Sequence, residues 1–518
     1  MTNRRESRAA GRPAGLTGAA GAAVGVGAAL RRLAAALVVL LAVPLAVLLA
    51  PPPAASAGAP APAALNPAEV DRFMADYLDQ TGLPGAVVAI TRGTEVVHVA
   101  GYGHDSSGAA LSATTRVPIA SVSKSMTALA VLQLVEAHRV DLDAPVRTYL
   151  DDFRLADPRG DAITVRQLLN QTSGMADSAF PDLRRAQPDS LASAVTRLHE
   201  AELASAPGTE YHYHNPNYEV AARLVEVAGG QPFGDYLREH VFTPLGMTDS
   251  TTVNSAPDAA DTTHGYVRIY GLPVAVPEVD WFTNGSHGVL TTARDLAQWL
   301  ITQNNGGQSA SGRRVVSAEG VELMHTPSGV SDHYGMGWER SRPEQQPARI
   351  SHTGQWFSYT AQQTLLPDSG YGIAVVATTG LSVEDDPAVI TEGLVALTQG
   401  QTPQVRRPSG VQADWVLAAL TLAAAGLGVL GVARSRRWAQ RRAHAARWWV
   451  VVRLVPVALP AVCLVFLPEL VGAVFANRAG TFLHVLYVWP ALVVWVAVGA
   501  LAGLAVLVAR GARVLRAQ

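Results

Sequence analysis

One lysine stands among the 40 Lys and Arg residues of this 518-residue chain; the other 39 are arginine. It is Lys124, in the run Ser121-Val122-Ser123-Lys124. Arginine stays protonated in proteins, whereas burial can strip a lysine of its proton. A serine hydroxyl is a weak nucleophile until a base removes its proton. The Ser-x-x-Lys spacing sets such a base beside such a nucleophile, because i and i+3 are neighbours on a helix. Two further groups carry polar chemistry. Tyr213-His214-Asn215 supplies a phenol able to relay a proton and a carboxamide able to donate and accept towards a substrate amide. His352-Thr353-Gly354 supplies two hydrogen-bonding side chains for an anionic group, beside a glycine that permits close backbone approach. Each is a common short pattern by itself.

The elements that must position these groups are legible in the periodicity. An amphipathic stretch at 67–80 predicts a helix, and the apolar runs 85–91 and 95–101, joined by Arg92-Gly93-Thr94, predict a hairpin. SMTALAVLQLVEAHR, with apolar residues at 126, 129, 132 and 135, predicts a helix with one buried face. Ser121 then opens that helix, where the helix N-terminus favours developing negative charge. A second helix is predicted at 218–228, just after Asn215. His352-Thr353-Gly354 ends the strand-like run ARIS, and a second strand-like run, SYTAQQTLL, follows it.

In the order Ser-x-x-Lys, Tyr-x-Asn, His-Thr-Gly, the three groups resemble the motifs of the serine β-lactamase and penicillin-binding-protein superfamily. The likeness is greatest to class C β-lactamases and to secreted D-Ala-D-Ala carboxypeptidases, which also carry His-Thr-Gly where most relatives have Lys-Thr-Gly. Family-like phrases support it: PIASVSKSMTALAVLQLVE (118–136), ITVRQLLNQTSGM (163–175), PLGMTDS (244–250), HGVLTTARDLAQWL (287–300) and YGMGW (334–338). The resemblance covers roughly 66–400. It implies an α+β fold, an antiparallel sheet flanked by helices with a helical subdomain. It also implies an acyl-serine hydrolase in which Ser121 attacks a carbonyl, with Lys124 and Tyr213 as the proton-handling pair. Asn215 would orient the substrate amide, and His352, Thr353 and Gly354 would form the carboxylate-binding side. The backbone N–H groups of Ser121 and Gln355 would form the oxyanion hole. No cofactor is implied and no metal, and the 14 His residues show no paired zinc-ligand spacing. Two departures bear on specificity. His214 stands where a serine is frequent, which could narrow or repolarise the pocket. His352 replaces a permanent cation, making carboxylate binding weaker or pH-dependent. The family offers a D,D-peptidase or penicillin-binding activity first, with a β-lactamase, an esterase or a D-amino-acid peptidase as relatives. A non-catalytic β-lactam or envelope-fragment sensor is a different class of answer.

Composition places this domain against a membrane. A net charge of −2 without a clustered basic face excludes a nucleic-acid partner. The single cysteine, Cys463, rules out an intramolecular disulfide. The apolar run 33–50 after Arg31-Arg32, followed by Ala55-Ser56-Ala57, predicts a signal peptide over 1–57, or an uncleaved signal anchor. A linker over 58–65, the hydrolase domain over 66–400 and a linker over 401–413 follow. Residues 414–518 then form an all-α transmembrane region with three predicted spans, near 414–433, 450–474 and 482–508. Six arginines between the first two spans, and three after the last, set those parts in the cytoplasm by the positive-inside rule. The catalytic domain is therefore expected on the extracytoplasmic side, in contact with membrane lipid. Its expected substrate is a small molecule or peptidoglycan-like. Arg453 and Glu469 fall inside the second predicted span and are expected to snorkel towards opposite interfaces.

Overall fold

The computed structural model describes residues 65–259, 264–382, 384–474, 478 and 480–516. The predicted signal segment and nearly all of the first linker lie outside them. Helix α1 (Pro67–Thr81) begins on Asn66, whose side chain accepts from the Ala68 N–H, and ends on Gly82 in the left-handed region, φ 67°. These are the cap residues expected of a helix start and stop. Strands β1 (Gly85–Arg92) and β2 (Glu95–Gly103) form the predicted hairpin. Strands β3 (Glu339–Arg340), β4 (Ile350–Gln355), β5 (Thr360–Leu366) and β6 (Tyr371–Ala377) complete an antiparallel sheet in the order β2-β1-β6-β5-β4-β3.

The central strands are buried on both faces, so β1 and β6 read as near-continuous apolar runs. Alternation still sorts them. Val88, Ile90, Ile373 and Val375 face a layer made by α1 and α5 (Asp386–Thr398), with Phe73, Tyr77, Ile390 and Leu394. Val87, Ala89, Ala374 and Val376 face the other layer, built on α2 (Ser123–Glu136) and α4 (Ala293–Asn304) and a helical subdomain around α3 (Asn215–Gly229). Helix α2 is more enclosed than a one-faced pattern predicts: every residue from Ser123 to Leu132 is buried. Its hydroxyls make this tolerable. Ser123 Oγ donates to Ala120 O and accepts from the Val289 N–H, and Ser125 Oγ donates to Val122 O.

The C-terminal region carries the three expected helices long and apolar enough to cross a membrane: α6 (Ser409–Ala433), α7 (Arg447–Val465) and α10 (Pro490–Leu515). Each overlaps its predicted span, but the second ends at Val465 and the third starts at Pro490, so their bounds differ from the apolar runs. The helix of 447–465 stops one residue before Leu467-Pro468, where a new short helix, α8 (Leu467–Val474), starts. Another short helix, α9 (Phe482–Val488), ends at Trp489, which is non-helical (φ −148°, ψ 70°) as the residue before Pro490 is expected to be. Glu469 consequently lies outside the apolar helices, paired with Arg184 (3.1 Å), and does not snorkel. Arg453 remains in α7, its guanidinium over the Trp449 ring. The chain divides into two compact units, and residues 464–495 belong with the catalytic domain. In the other unit, a Cβ at Gly503 would run into the Val457 carbonyl, so α7 and α10 cross closely through a small residue.

Candidate active site

Ser121 sits in a 3-10 turn (Ala120–Val122) one residue ahead of α2, and Ala120 holds φ 48°, outside the usual range for a residue with a Cβ. The turn is pressed against β4. A Cβ at Gly354 would run into the Ile119 carbonyl oxygen, so this position of the third motif has to be glycine for the two backbones to meet. His352, Thr353 and Gly354 lie in β4, towards the end of the strand that the ARIS run indicated. Beyond Ser351, β4 pairs with β5 alone, because β3 pairs only with Ile350 and Ser351.

Lys124 is fully buried. Its Nζ lies 3.0 Å from Ser121 Oγ, 2.9 Å from Asn215 Oδ1 and 2.8 Å from the Ser286 carbonyl oxygen. A neutral amine has two hydrogens and one lone pair. Asn215 and Ser286 accept the hydrogens, which turns the lone pair towards the Ser121 hydroxyl. Burial, and after it the charge of Arg478, holds the Lys124 amine well below its ordinary value, which favours that neutral form. Tyr213 stands over the same amine, ring centroid 4.9 Å from Nζ. Burial pushes its phenol well above the usual range, with the Ser121 hydroxyl and Arg478 opposing, so it keeps its proton near neutrality. Of the pair, the lysine is equipped to accept a proton and the tyrosine to pass one on.

His352 is also buried. Its Nδ1 donates to the Thr353 carbonyl oxygen at 2.6 Å, leaving Nε2 as a bare acceptor without a partner. Burial, then the Lys124 charge, pushes its pKa down to about 3. Of the two expectations for position 352, this favours weaker carboxylate binding over a pH-dependent cation, since the ring is neutral near physiological pH. His214 also departs from expectation. Its ring turns away from the pocket onto the Phe180 carbonyl (3.0 Å) and Asp177 (3.4 Å). Burial lowers its pKa and the Asp177 carboxylate more than offsets that, so the net direction is upward. Asn215 Oδ1 holds the lysine in place, a role the substrate-amide reading did not include.

Ser121, Tyr213, His352, Thr353 and Gln355 open on one cavity of about 380 Å³, walled mostly by apolar and aromatic side chains. One side of that wall comes from 467–488, through Val471, Arg478 and Val485 among others. The guanidinium of Arg478 lies beside the Tyr213 ring (5.9 Å), and its Nε is 3.4 Å from Asp177 Oδ2. Asp177, Asp182 and His214 gather their polar atoms within 4.8 Å of one another behind the tyrosine. In the sequence, Arg478 is the one charged residue between the second and third predicted spans, which gave no sign that it would line the site.

The arrangement matches known proteins. A profile of the family described as Beta-lactamase matches residues 70–398. Protein flp of Staphylococcus aureus (strain MW2) is 26% identical over 315 residues, 60% of this chain and 62% of that protein. Penicillin-binding protein 4 of Amycolatopsis lactamdurans is 28% identical over 340 residues, 63% of this chain and 89% of its own. The octameric penicillin-binding protein homologue from Pyrococcus abyssi superposes with a TM-score of 0.55 at 23% identity, over 68% of this chain and 81% of its own. A penicillin binding protein from Bacillus halodurans gives 0.51 at 22%, over 62% and 98%.

Proposed function

The chain belongs to the beta-lactamase family, and from that membership and the setting of its one lysine we propose that it is a serine acyl hydrolase acting on a cell-envelope amide or ester. The observation that carries this reading is the 3.0 Å approach of a buried, pKa-depressed Lys124 amine to Ser121 Oγ, with both amine hydrogens engaged elsewhere. In the proposed step Ser121 Oγ bonds to the substrate carbonyl carbon and its proton moves to Lys124 Nζ. The N–H groups of Ser121 and Gln355 receive the oxyanion, a contribution of about 3 kcal/mol per donor. The carbonyl–leaving-group bond breaks as Tyr213 hands the leaving group a proton and regains one from Lys124. Water then runs the sequence in reverse on the acyl-serine: its oxygen bonds to the carbonyl carbon as its proton passes through Tyr213 to Lys124, and the bond to Ser121 Oγ breaks as Lys124 returns a proton to that oxygen.

A D,D-peptidase or penicillin-binding activity is the specific form we favour. The location supports it: apolar helices follow the domain, and the arginine-rich 434–447 stretch fits a cytoplasmic loop with the domain outside. The neutral His352 and the apolar cavity favour one second reading, an esterase of the same fold. Ser121→Ala in the full-length, detergent-solubilised chain is expected to abolish both labelling by a fluorescent penicillin and turnover of a chromogenic ester. Labelling that persists in this variant would remove Ser121 as the nucleophile. A stable adduct without turnover in the wild type would favour a sensor over a hydrolase.

A further inference from the structure

Residues 467–488 connect two apolar helices, a task that a few residues could perform, yet they are fastened to the catalytic domain at several points. Arg184 donates from Nε to the Gly480 carbonyl (2.8 Å) and pairs with Glu469. Tyr487 Oη donates to Pro277 O (2.9 Å), and the His484 ring stacks on Phe357 at 4.8 Å. Just beyond, Trp489 Nε1 donates to Asp414 Oδ1 (3.0 Å), whose other oxygen accepts the Tyr270 N–H. So held, the segment forms one side of the cavity in front of Ser121.

The charge lining that cavity is informative. Strand β4 contributes the neutral His352 where a cation would serve an anionic substrate. Among the described residues lining the cavity, Arg478 is the one permanent cation. Asp177 pairs with it from 3.4 Å at Nε; Nε and Nη2 are buried without a hydrogen-bond partner, and 26% of the side chain as a whole stays exposed. The one carboxyl lining the cavity, Glu339, is pushed upward by burial, which favours its neutral form. A guanidinium fork tethered at one edge is suited to receive an oxyanion at another.

We propose that the described residues of this segment, 467–474, 478 and 480–488, are a working part of the active site. In this arrangement Arg478 receives an oxyanion group of the acyl donor, a carboxylate or a phosphate, and Val471, Val485 and Trp281 face its apolar part. The substrate class is thus an anionic amphiphile, and part of its recognition comes from the membrane-linked segment. This rests on the acyl-serine reading but is tested apart from it.

The test uses the full-length chain in detergent carrying Ser121→Ala, so that binding is read without turnover. Monohexyl succinate, hexyl phosphate and the uncharged hexyl methyl succinate are titrated by calorimetry. The expected result is a preference of about tenfold or more for an anionic ligand over the neutral one. Adding Arg478→Gln should erase that preference with the neutral ligand held within about threefold, and Arg478→Lys should retain part of it. Tighter succinate would identify a carboxylate substrate and tighter phosphate a lipid-headgroup substrate, and either supports the proposal. No anion preference with Arg478 present, an unchanged preference without it, or an equal loss for all three ligands would overturn it. Penicillin labelling of the Ser121-containing chain is read in parallel. Its absence would refute the acyl-serine step while the titration still decides the role of Arg478.

Discussion

Replacing Lys124 by methionine removes the one amine while keeping a side chain of similar length, and its consequences follow from three distances. Nζ serves Ser121 Oγ, Asn215 Oδ1 and Ser286 O. Loss of the contact to Ser121 removes the general base, which lowers acylation by about 10²–10⁴-fold. Loss of the other two leaves two buried acceptors without a donor, at about 1–3 kcal/mol each. The variant no longer has to bury an amine, which offsets part of that cost, and the offset depends on pH. The lysine pKa is depressed by burial and by Arg478 in the folded chain and ordinary in the unfolded one. Between those two values the unfolded state holds one more proton than the folded state. Wild-type stability therefore rises with pH by about 1.4 kcal/mol per unit in that window; it falls as pH drops below the ordinary lysine pKa and levels off below the folded one. Lys124→Met has no such proton, and titrations elsewhere cancel in the comparison. The stability gap between wild type and variant should therefore widen as pH rises from about 8 to about 10. Urea unfolding of the full-length proteins across that range measures it, and stopped-flow penicillin labelling measures the rate. A gap that stays flat would mean that the folded lysine is protonated throughout. Labelling within tenfold of wild type would mean that the lysine is not the base.

Gly354→Ala puts a Cβ against the Ile119 carbonyl, so β4 and the serine turn must separate. The expected result is a loss of about 1–3 kcal/mol in thermal unfolding, with penicillin labelling falling far more than stability. Unchanged labelling would show that the strand can retreat without disturbing Ser121. Away from the site, Arg268→Met leaves Asp386 buried without the guanidinium that meets both its oxygens at 3.0 and 3.1 Å. Tyr77 and Thr379 remain as its donors (3.0 and 2.7 Å), and the expected loss is about 3–5 kcal/mol of stability. A loss below 1 kcal/mol would show those two hydroxyls to be sufficient.

Local chemistry made much of the catalytic domain legible. The first helix, the hairpin and the α2 helix were readable because their caps, turn residues and periodicity act within a few positions. The three motifs were readable because their order is fixed by the fold, even though the contact joining the first two, Lys124 to Asn215, spans 91 residues. What could not be read was the direction of side chains on those elements. His214 and Asn215 are neighbours in sequence, yet at the start of α3 one turns to Phe180 and the other to Lys124. The protonation of His352 was hidden too, since only three-dimensional burial beside Lys124 sets it. At the C-terminus, composition located three apolar helices but not their ends. Pro468 and Pro490 stand at helix boundaries, yet Pro456 and Pro460 lie inside α7, so proline alone does not mark where a long helix stops.

The placement of charge around the nucleophile has one logic. A lysine in β4 would set an ammonium near Lys124, to be desolvated in the same pocket and in competition for the proton that Lys124 must accept. A neutral histidine avoids that load on the strand. Arg478 brings the positive charge from another direction, tethered to Asp177 and Asp182 behind Tyr213. From there it still lowers the Lys124 pKa, second only to burial. One guanidinium can thus do two things at once: keep the base unprotonated and offer a fork to an anion. Arginine suits this position because, unlike lysine, it remains charged when buried. The same difference explains why the residue beside Ser121 cannot be arginine, and why the chain's only lysine is found there.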